Sequence, residues 1–220
     1  MGNKTFSARR TQLHDQVKDP EWSGFIRRLF QEAEPYLAVR GDMAHTRVSY
    51  DYALILIRQE GGNAGIVEPA IILHDVGWSR LEPREISKAF GVLAKGDEAD
   101  RLNRIHELEG ASIAGQILKS LDYDTLLIEK ITSIIRTHDS GVDIRSPEEG
   151  LVKDADKLWR SSKVGFWQEV RRQDLDPKEL YWYLNEHYKK WFFSSTALAL
   201  AGENLEKRAK EIDANQKGLI

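Results

Sequence analysis

The chain has 220 residues, with 32 Lys and Arg against 35 Asp and Glu, and it contains no cysteine. A net charge of −3 gives no general attraction to nucleic-acid polymers or anionic membranes, and the lack of cysteine excludes disulfides, thiolate metal sites and a cysteine nucleophile. The length suits one domain with a substantial core. The sequence shows neither a signal peptide nor an apolar segment of spanning length, so it predicts a cytoplasmic protein.

Helical periodicity dominates the sequence from its first third onward. The stripe Val48, Tyr52, Ile55 and Leu56 repeats at helical spacing, and similar stripes follow along the chain. Besides an N-terminal helix at about 21–39, helices are predicted to begin near residues 45, 66, 107, 125 and 148, with further helices at about 175–212. Loops are predicted at 40–42, 61–63, 77–83, 96–97 and 140–147. Because no segment alternates as a strand does, the sequence predicts a single all-α domain over residues 1–220.

Four of the six histidines lie on predicted apolar helix faces: His45, His74, His106 and His138. Asp75 follows the second of these, and Asp156 also lies on an inward face. Buried imidazoles and carboxylates need partners, and one shared metal centre would satisfy all six groups. The alternative is that each is an isolated core residue with its own partner. His14 and His187 have polar neighbours and are predicted to lie at the surface.

The order and the local contexts of these residues resemble a known family. His45 in HTRV, His74 and Asp75 in ILHDVG, and Asp156 in DADKL are similar to the HD superfamily of metal-dependent phosphohydrolases. The resemblance covers about residues 40–165. It implies an HD-domain helical bundle with a C-terminal helical extension, in which these four residues hold one divalent metal ion and Asp75 is catalytic.

Two further segments resemble the subset of this superfamily that binds two metals. They are HELEGASIAGQIL, which contains His106, and IIRTHDSG, which contains His138. The resemblance implies that both histidines hold a second metal bridged by Asp75. The alternative is that this pair contacts a substrate phosphate. Imidazole and carboxylate donors without thiolate suit Fe, Mn, Co, Ni or Zn, one or two per chain, and disfavour Ca.

One residue departs from the family pattern. Many members carry Lys or His after the glycine of the HD segment, and here that residue is Trp78, which removes an expected polar contact. The remaining candidates for contact with a substrate phosphate are Arg47, Arg80, Arg84, Lys153 and Lys157. Each of these could instead be a solvated surface charge. Four C-terminal tryptophans are predicted to lie in the core rather than to stack on a base: Trp159, Trp167, Trp182 and Trp191.

Three functions are compatible with the sequence. The first is a phosphohydrolase that uses a metal-activated water on a small phosphorylated molecule, with a nucleotide favoured. The second is a mixed-valence di-iron oxygenase that cleaves a C–C or C–P bond with the same donors. The third is a non-catalytic HD module that senses a ligand. The sequence indicates neither the metal nor the oligomeric state.

Overall fold

The computed structural model describes residues 19–89, 91 and 94–216, where every regular element is helical and no strand occurs. Its ten α-helices are α1 (Pro20–Leu37), α2 (Met43–Glu60), α3 (Ala64–Leu73), α4 (Pro83–Ala89), α5 (Asp97–Ser120), α6 (Thr125–Ile135), α7 (Pro147–Leu158), α8 (Lys163–Gln173), α9 (Pro177–His187) and α10 (Ser195–Gln216). Three short 3-10 turns are Val76–Arg80, Trp159–Ser161 and Tyr188–Lys190. The prediction of an all-α fold is confirmed.

Most predicted helix starts lie within two residues of the observed ones, but one prediction was wrong. The helix expected near residue 107 begins ten residues earlier, at Asp97. Its first turn carries Asp97, Glu98 and Asp100, whose negative charges are stabilised by the positive end of the helix dipole. Only two residues of its first nine, Ala99 and Leu102, are buried, so the apolar stripe becomes recognisable only later.

Helix α3 forms the centre of the bundle. All ten of its residues are buried, and α1, α2, α6 and α7 pack around it. A helix that is apolar on all sides is typical of such a position. The exception is Glu68, whose oxygens accept hydrogen bonds from Trp22 Nε1 at 3.1 Å and Tyr50 OH at 2.5 Å. Because α3 ends at Leu73, the next two residues lie in the middle of the molecule.

Gly77 allows α5 to pack directly against the turn that follows α3. A Cβ atom at this position would lie 1.9 Å from the carbonyl oxygen of His106 and 2.5 Å from the backbone nitrogen of Gly110. Both obstacles are backbone atoms of α5, which cannot move aside as a flexible side chain can. The glycine therefore sets how closely α5 brings His106 to residues 74 and 75.

We expect Gly77→Ala to destabilise the protein by about 3 kcal/mol or more, because overpacking against backbone forces two elements apart. Gly24→Ala is the matched control, since nothing lies within 4 Å of a Cβ there. This second change in the interior of α1 should stabilise the protein by about 0.5–1 kcal/mol. Denaturant unfolding of both variants checks the pair, and equal effects would contradict the close-approach explanation.

The C-terminal helical extension divides into two helices, and α8, which precedes it, was not predicted. Phe166 of α8 joins α9 and α10 in a small apolar cluster whose other buried members are Leu180, Leu184, Leu205 and Ile212. From α8, Arg172 donates to Asp42 Oδ1 at 3.4 Å and to the carbonyl of Arg40 at 3.1 Å. Helix α8 is thereby tied to the loop between α1 and α2. No helix among the described residues is long and apolar enough to cross a membrane.

Candidate metal centre

Ends and inward faces of five helices bring six donor residues together. His45 lies in the first turn of α2, His106 lies inside α5, and Asp156 lies in the last turn of α7. His74 and Asp75 directly follow α3, and His138 lies three residues beyond the end of α6. All six side chains are buried. The set that the structure brings together is the set expected from the sequence: His45, His74, Asp75, His106, His138 and Asp156.

Four donor atoms form a first group. His45 Nε2 lies 3.0 Å from His74 Nε2, 3.2 Å from Asp156 Oδ1 and 3.4 Å from Asp75 Oδ2. His74 Nε2 lies 3.4 Å from Asp156 Oδ1 and 3.5 Å from Asp75 Oδ2. Donors bound to one ion at about 2.1 Å stand about 3.0 Å apart in an octahedron and about 3.4 Å apart in a tetrahedron. The spacings among His45, His74 and Asp156 therefore fit a single ion, and Asp75 Oδ2 lies beside the two histidines of this group.

The tautomer of His74 supports the same assignment. Its Nδ1 donates to the carbonyl of Ile71 at 2.8 Å, so in the neutral ring the lone pair is on Nε2, facing His45 and two carboxylates. A cluster of lone pairs at this distance is repulsive unless a cation or a proton lies among them. Metal-binding histidines commonly fix their second nitrogen on a backbone carbonyl in this way. The donor set fits a transition-metal ion.

A second group lies on the other side of Asp75. His106 Nε2 and His138 Nε2 are 3.3 Å apart, and they lie 3.8 and 3.7 Å from Asp75 Oδ1. Like His74, His138 donates from Nδ1 to a backbone carbonyl, that of Ile135 at 2.8 Å. The two oxygens of Asp75 thus face different groups, which is the arrangement that a bridging carboxylate requires.

Asp139 belongs to the second group and was missed from the sequence. Its Oδ2 lies 3.5 Å from His106 Nε2 and 3.8 Å from His138 Nε2. Buried Glu107 positions this residue, since its Oε1 accepts from the backbone nitrogens of Asp139 and Ser140 at 2.9 and 2.8 Å. The available signal was the repetition of a His-Asp doublet at 138–139.

Trp78 supplies a polar contact where the sequence suggested that one had been lost. Its indole nitrogen donates to Asp75 Oδ1 at 3.0 Å, and its ring stacks on His106 with 4.0 Å between centroids. Arg40 lies over the same indole at 4.7 Å and donates to Asp75 Oδ2 at 2.9 Å. Trp78 and Arg40 therefore hold Asp75 between the two donor groups.

Comparison with known proteins agrees with this site. A family model described as the HD domain matches residues 42–160, which include all six donors and Asp139. The chain belongs to the HD domain family. The solved structure of a predicted HD superfamily hydrolase from an uncultured Thermotogales bacterium is similar at a TM-score of 0.58 and 16% identity. The similarity covers 87% of this chain and 91% of that one. A search of curated proteins gave no match.

The donor groups of this HD domain perturb one another's protonation. Burial lowers the pKa of His138, but the nearby carboxylates of Asp139 and Asp75 outweigh it and raise this pKa to about 10. Burial and the charge of His138 lower the pKa of His106 to about 3. Burial would raise the pKa of Asp75, yet His74 and Arg40 hold it well below its usual range. The metal-free centre thus retains a proton on His138 at neutral pH.

We expect this proton to leave when a divalent ion binds, because only neutral imidazole coordinates a metal. His138 is protonated well below its folded pKa of about 10, so apparent metal affinity should rise with pH between 6.5 and 8.5. The rise should be about tenfold per pH unit for each proton released. Calorimetry of Mn²⁺ binding in two buffers of different ionisation enthalpy measures the release, and a value of zero would contradict the expectation.

A cavity of about 480 Å³ opens beside the donors. Among its described lining residues are six acidic and three basic side chains, so its formal charge is −3, and two divalent ions would bring it to +1. The acidic residues are Asp42, Asp75, Asp100, Asp139, Asp156 and Glu169. The basic residues are Arg40, Arg160 and Arg172.

None of the cations expected to contact a substrate phosphate lines this cavity. Arg47 packs its guanidinium over the ring of Phe30 at 5.1 Å. Arg80 faces Glu109 at 3.8 Å on an exposed surface, and Arg84 is also exposed. The structure does not support a role for these three arginines in substrate binding.

The two lysines near Asp156 also have structural partners. Lys153 is buried, donates to the carbonyl of Gly141 at 2.8 Å and pairs with Glu149 at 3.1 Å. Lys157 donates to the carbonyl of Trp191 at 3.3 Å. The tertiary partners of a long side chain decide where its charged end lies. The sequence spacing between these lysines and Asp156 therefore could not predict the position of either ammonium group.

The tryptophans and remaining histidines differ in part from expectation. Trp159 is buried but lines the cavity, edge-on to His45 with 5.1 Å between ring centroids. Trp167 and Trp191 are half-buried against the C-terminal cluster, whereas Trp182 is 65% exposed and not in the core. Of the two histidines predicted to lie at the surface, His187 is half-buried and is not one of the donors, and His14 lies outside the described residues.

Proposed function

We propose that the protein is a metal-dependent phosphohydrolase acting on a small phosphorylated molecule, such as a nucleotide. The observation that carries the proposal is Asp75, whose two oxygens join two groups of N and O donors beside a small cavity. Two divalent ions held by these residues would supply a water of lowered pKa and positive charge for the reacting oxygens. The proposed first-ion donors are His45, His74, Asp75 and Asp156. The proposed second-ion donors are Asp75, His106 and His138, together with Asp139.

The residues around the donors prepare the site for this chemistry. Trp78 and Arg40 fix the carboxylate of Asp75, and Glu107 fixes the turn that carries Asp139. Trp159 packs edge-on against His45, which is buried. Such fixed donors need little rearrangement during reaction, which is the main requirement for catalysis at a charged centre.

Size and charge support a small anionic substrate. A cavity of about 480 Å³ falls within the range of small-molecule sites, roughly 300–1,000 Å³. The lining becomes net positive once two divalent ions are counted, which favours an anion over a neutral molecule. The indole of Trp159 on the cavity wall offers a surface on which a nucleobase could stack.

The test combines metal analysis with an activity screen. The purified protein is loaded with Mn²⁺ or Zn²⁺ and assayed without oxygen against nucleotides and other phosphoesters, with Asp156→Ala as the control for contaminating phosphatase. Hydrolysis that is lost in the control supports the proposal. Turnover that requires both iron and O₂ would instead identify the di-iron oxygenase. Ligand binding without turnover under either condition would identify a sensing module.

A further inference from the structure

Arg160 lies one helical turn beyond a proposed metal donor. It follows Asp156 by four residues, in the 3-10 turn Trp159–Ser161 that continues α7. Residues four apart share one face of a helix, and both of these side chains line the same cavity. Arg160 thus lines the cavity beside the candidate metal centre.

The guanidinium of Arg160 differs from its two neighbours in having no partner within the described part of the chain. Its Nε is buried and makes no hydrogen bond there, and no carboxylate of the described residues forms an ion pair with the guanidinium. In contrast, Arg40 donates to Asp75 and pairs with Asp42. Arg172 donates to Asp42 and to the carbonyl of Arg40. A buried donor without a partner carries a desolvation cost that a bound ligand could relieve.

Only longer-range attraction offsets the charge of Arg160. Burial would lower its pKa, but the carboxylates of Glu169, Asp156 and Asp139 raise it instead. Asp156 is also a proposed metal donor, as is Asp75, which attracts the same guanidinium more weakly. Bound divalent ions would neutralise part of the negative charge of these carboxylates, and the positive charge of the guanidinium would then be less well balanced. An anion in the cavity would restore the balance.

We propose that Arg160 forms an anion subsite beside the metal centre that binds a phosphoryl oxygen of the substrate. The inference rests on the proposed function and narrows its substrate class to terminal phosphates. A terminal phosphate has three nonbridging oxygens, whereas a phosphodiester has two. A planar guanidinium binds phosphate oxygens well. If each metal ion bound one nonbridging oxygen, a terminal phosphate would still have a third oxygen for Arg160.

The test measures binding of inorganic phosphate to Mn²⁺-loaded protein by calorimetry. The variants are Arg160→Met, which keeps an apolar stem, Arg160→Gln and Arg160→Lys, with exposed Arg171→Met as the matched control. A hydrogen bond to a charged group contributes about 1.5–3 kcal/mol, so loss of the guanidinium should weaken binding about 10- to 100-fold. The control should bind phosphate as the unchanged protein does, and Arg160→Lys should be intermediate. Metal content should be equal in all of them.

A second probe tests the substrate class. The unchanged protein should bind inorganic phosphate more tightly than dimethyl phosphate, and Arg160→Met should largely lose this preference. The unfolding midpoint of the metal-free variants should not fall, because the guanidinium makes no hydrogen bond to the described protein and its burial is costly.

Three results would distinguish a failure of the Arg160 subsite from a failure of the proposed function. Unchanged phosphate affinity in folded, metal-loaded Arg160→Met and Arg160→Gln would overturn the subsite while leaving hydrolysis possible. Failure of the unchanged, metal-loaded protein to bind phosphate would also overturn it. Phosphate binding that depends on Arg160, in a protein that hydrolyses no phosphoester, would support the subsite and reject the proposed function.

Discussion

Asp75→Ala should remove both metal ions from the protein. Oδ2 of Asp75 lies 3.4 Å from His45 Nε2 and 3.5 Å from His74 Nε2, while Oδ1 lies 3.8 and 3.7 Å from the histidines of the second group. Loss of the carboxylate takes one donor from each ion and leaves two positive charges without the anion between them. Metal content should fall from two per chain to near zero, which is a larger loss than any single histidine change causes.

Turnover by Asp75→Ala should fall about 10³-fold or more, since metal ions contribute several kcal/mol to a hydrolytic transition state. Elemental analysis after desalting is the primary measurement. Asp100→Ala is the control, because this exposed residue lines the cavity without belonging to either donor group. Circular dichroism is needed because the change also takes a partner from Arg40. Retention of two ions in folded Asp75→Ala would refute the bridging role.

His106→Ala and His138→Ala should each remove one ion and leave the other bound. Their Nε2 atoms lie 3.3 Å apart on the Oδ1 side of Asp75, whereas His45 and His74 face its other oxygen, Oδ2, at 3.4 and 3.5 Å. The first ion therefore keeps all four of its proposed donors in both variants. Activity should be largely lost, because the proposed hydrolysis would require the charge of both ions at the reacting phosphate.

The matched control is His187→Ala, a half-buried histidine whose Nδ1 donates to the carbonyl of Tyr183 at 2.7 Å, away from the centre. It should keep two ions. The reciprocal variant His45→Ala should lose the first ion. Each change also opens a cavity and costs about 1–3 kcal/mol of folding stability, so folding is checked alongside metal content. If both variants keep two ions and only KM rises, the pair contacts substrate phosphate instead.

The donor residues could be predicted from the sequence because a polar residue within an apolar stripe is easy to recognise. An imidazole at the apolar spacing of a helix has few explanations, so His45, His106 and His138 stood out by position alone. Their convergence on a single point follows from helix packing around α3, which no local pattern contains. The mutual distances of 3.0 to 3.8 Å required the tertiary structure.

The residues that would contact a substrate could not be predicted from the sequence, for a related reason. Long cations such as Lys153 and Arg47 can reach several partners, and the tertiary surroundings decide which one they take. Arg160 follows the end of α7, where no apolar stripe marks an inward face. Asp139 is one-third exposed and resembles an ordinary solvated carboxylate. The repeated His-Asp doublet and the four-residue spacing from Asp156 are the signals that could have located them.

The hydrogen bonds from Arg172 to the loop before α2 bring α8 onto the wall of the cavity. All six donors lie within 42–160, yet Arg40 precedes that segment, and Glu169 and Arg172 follow it on the same cavity wall. Part of the cavity wall, including Glu169 and Arg172 of α8, is therefore encoded outside the stretch that carries the donors. Substitutions in α8 could change which molecules enter without touching a metal donor. Selection or engineering could thus alter substrate preference while the reaction itself is conserved.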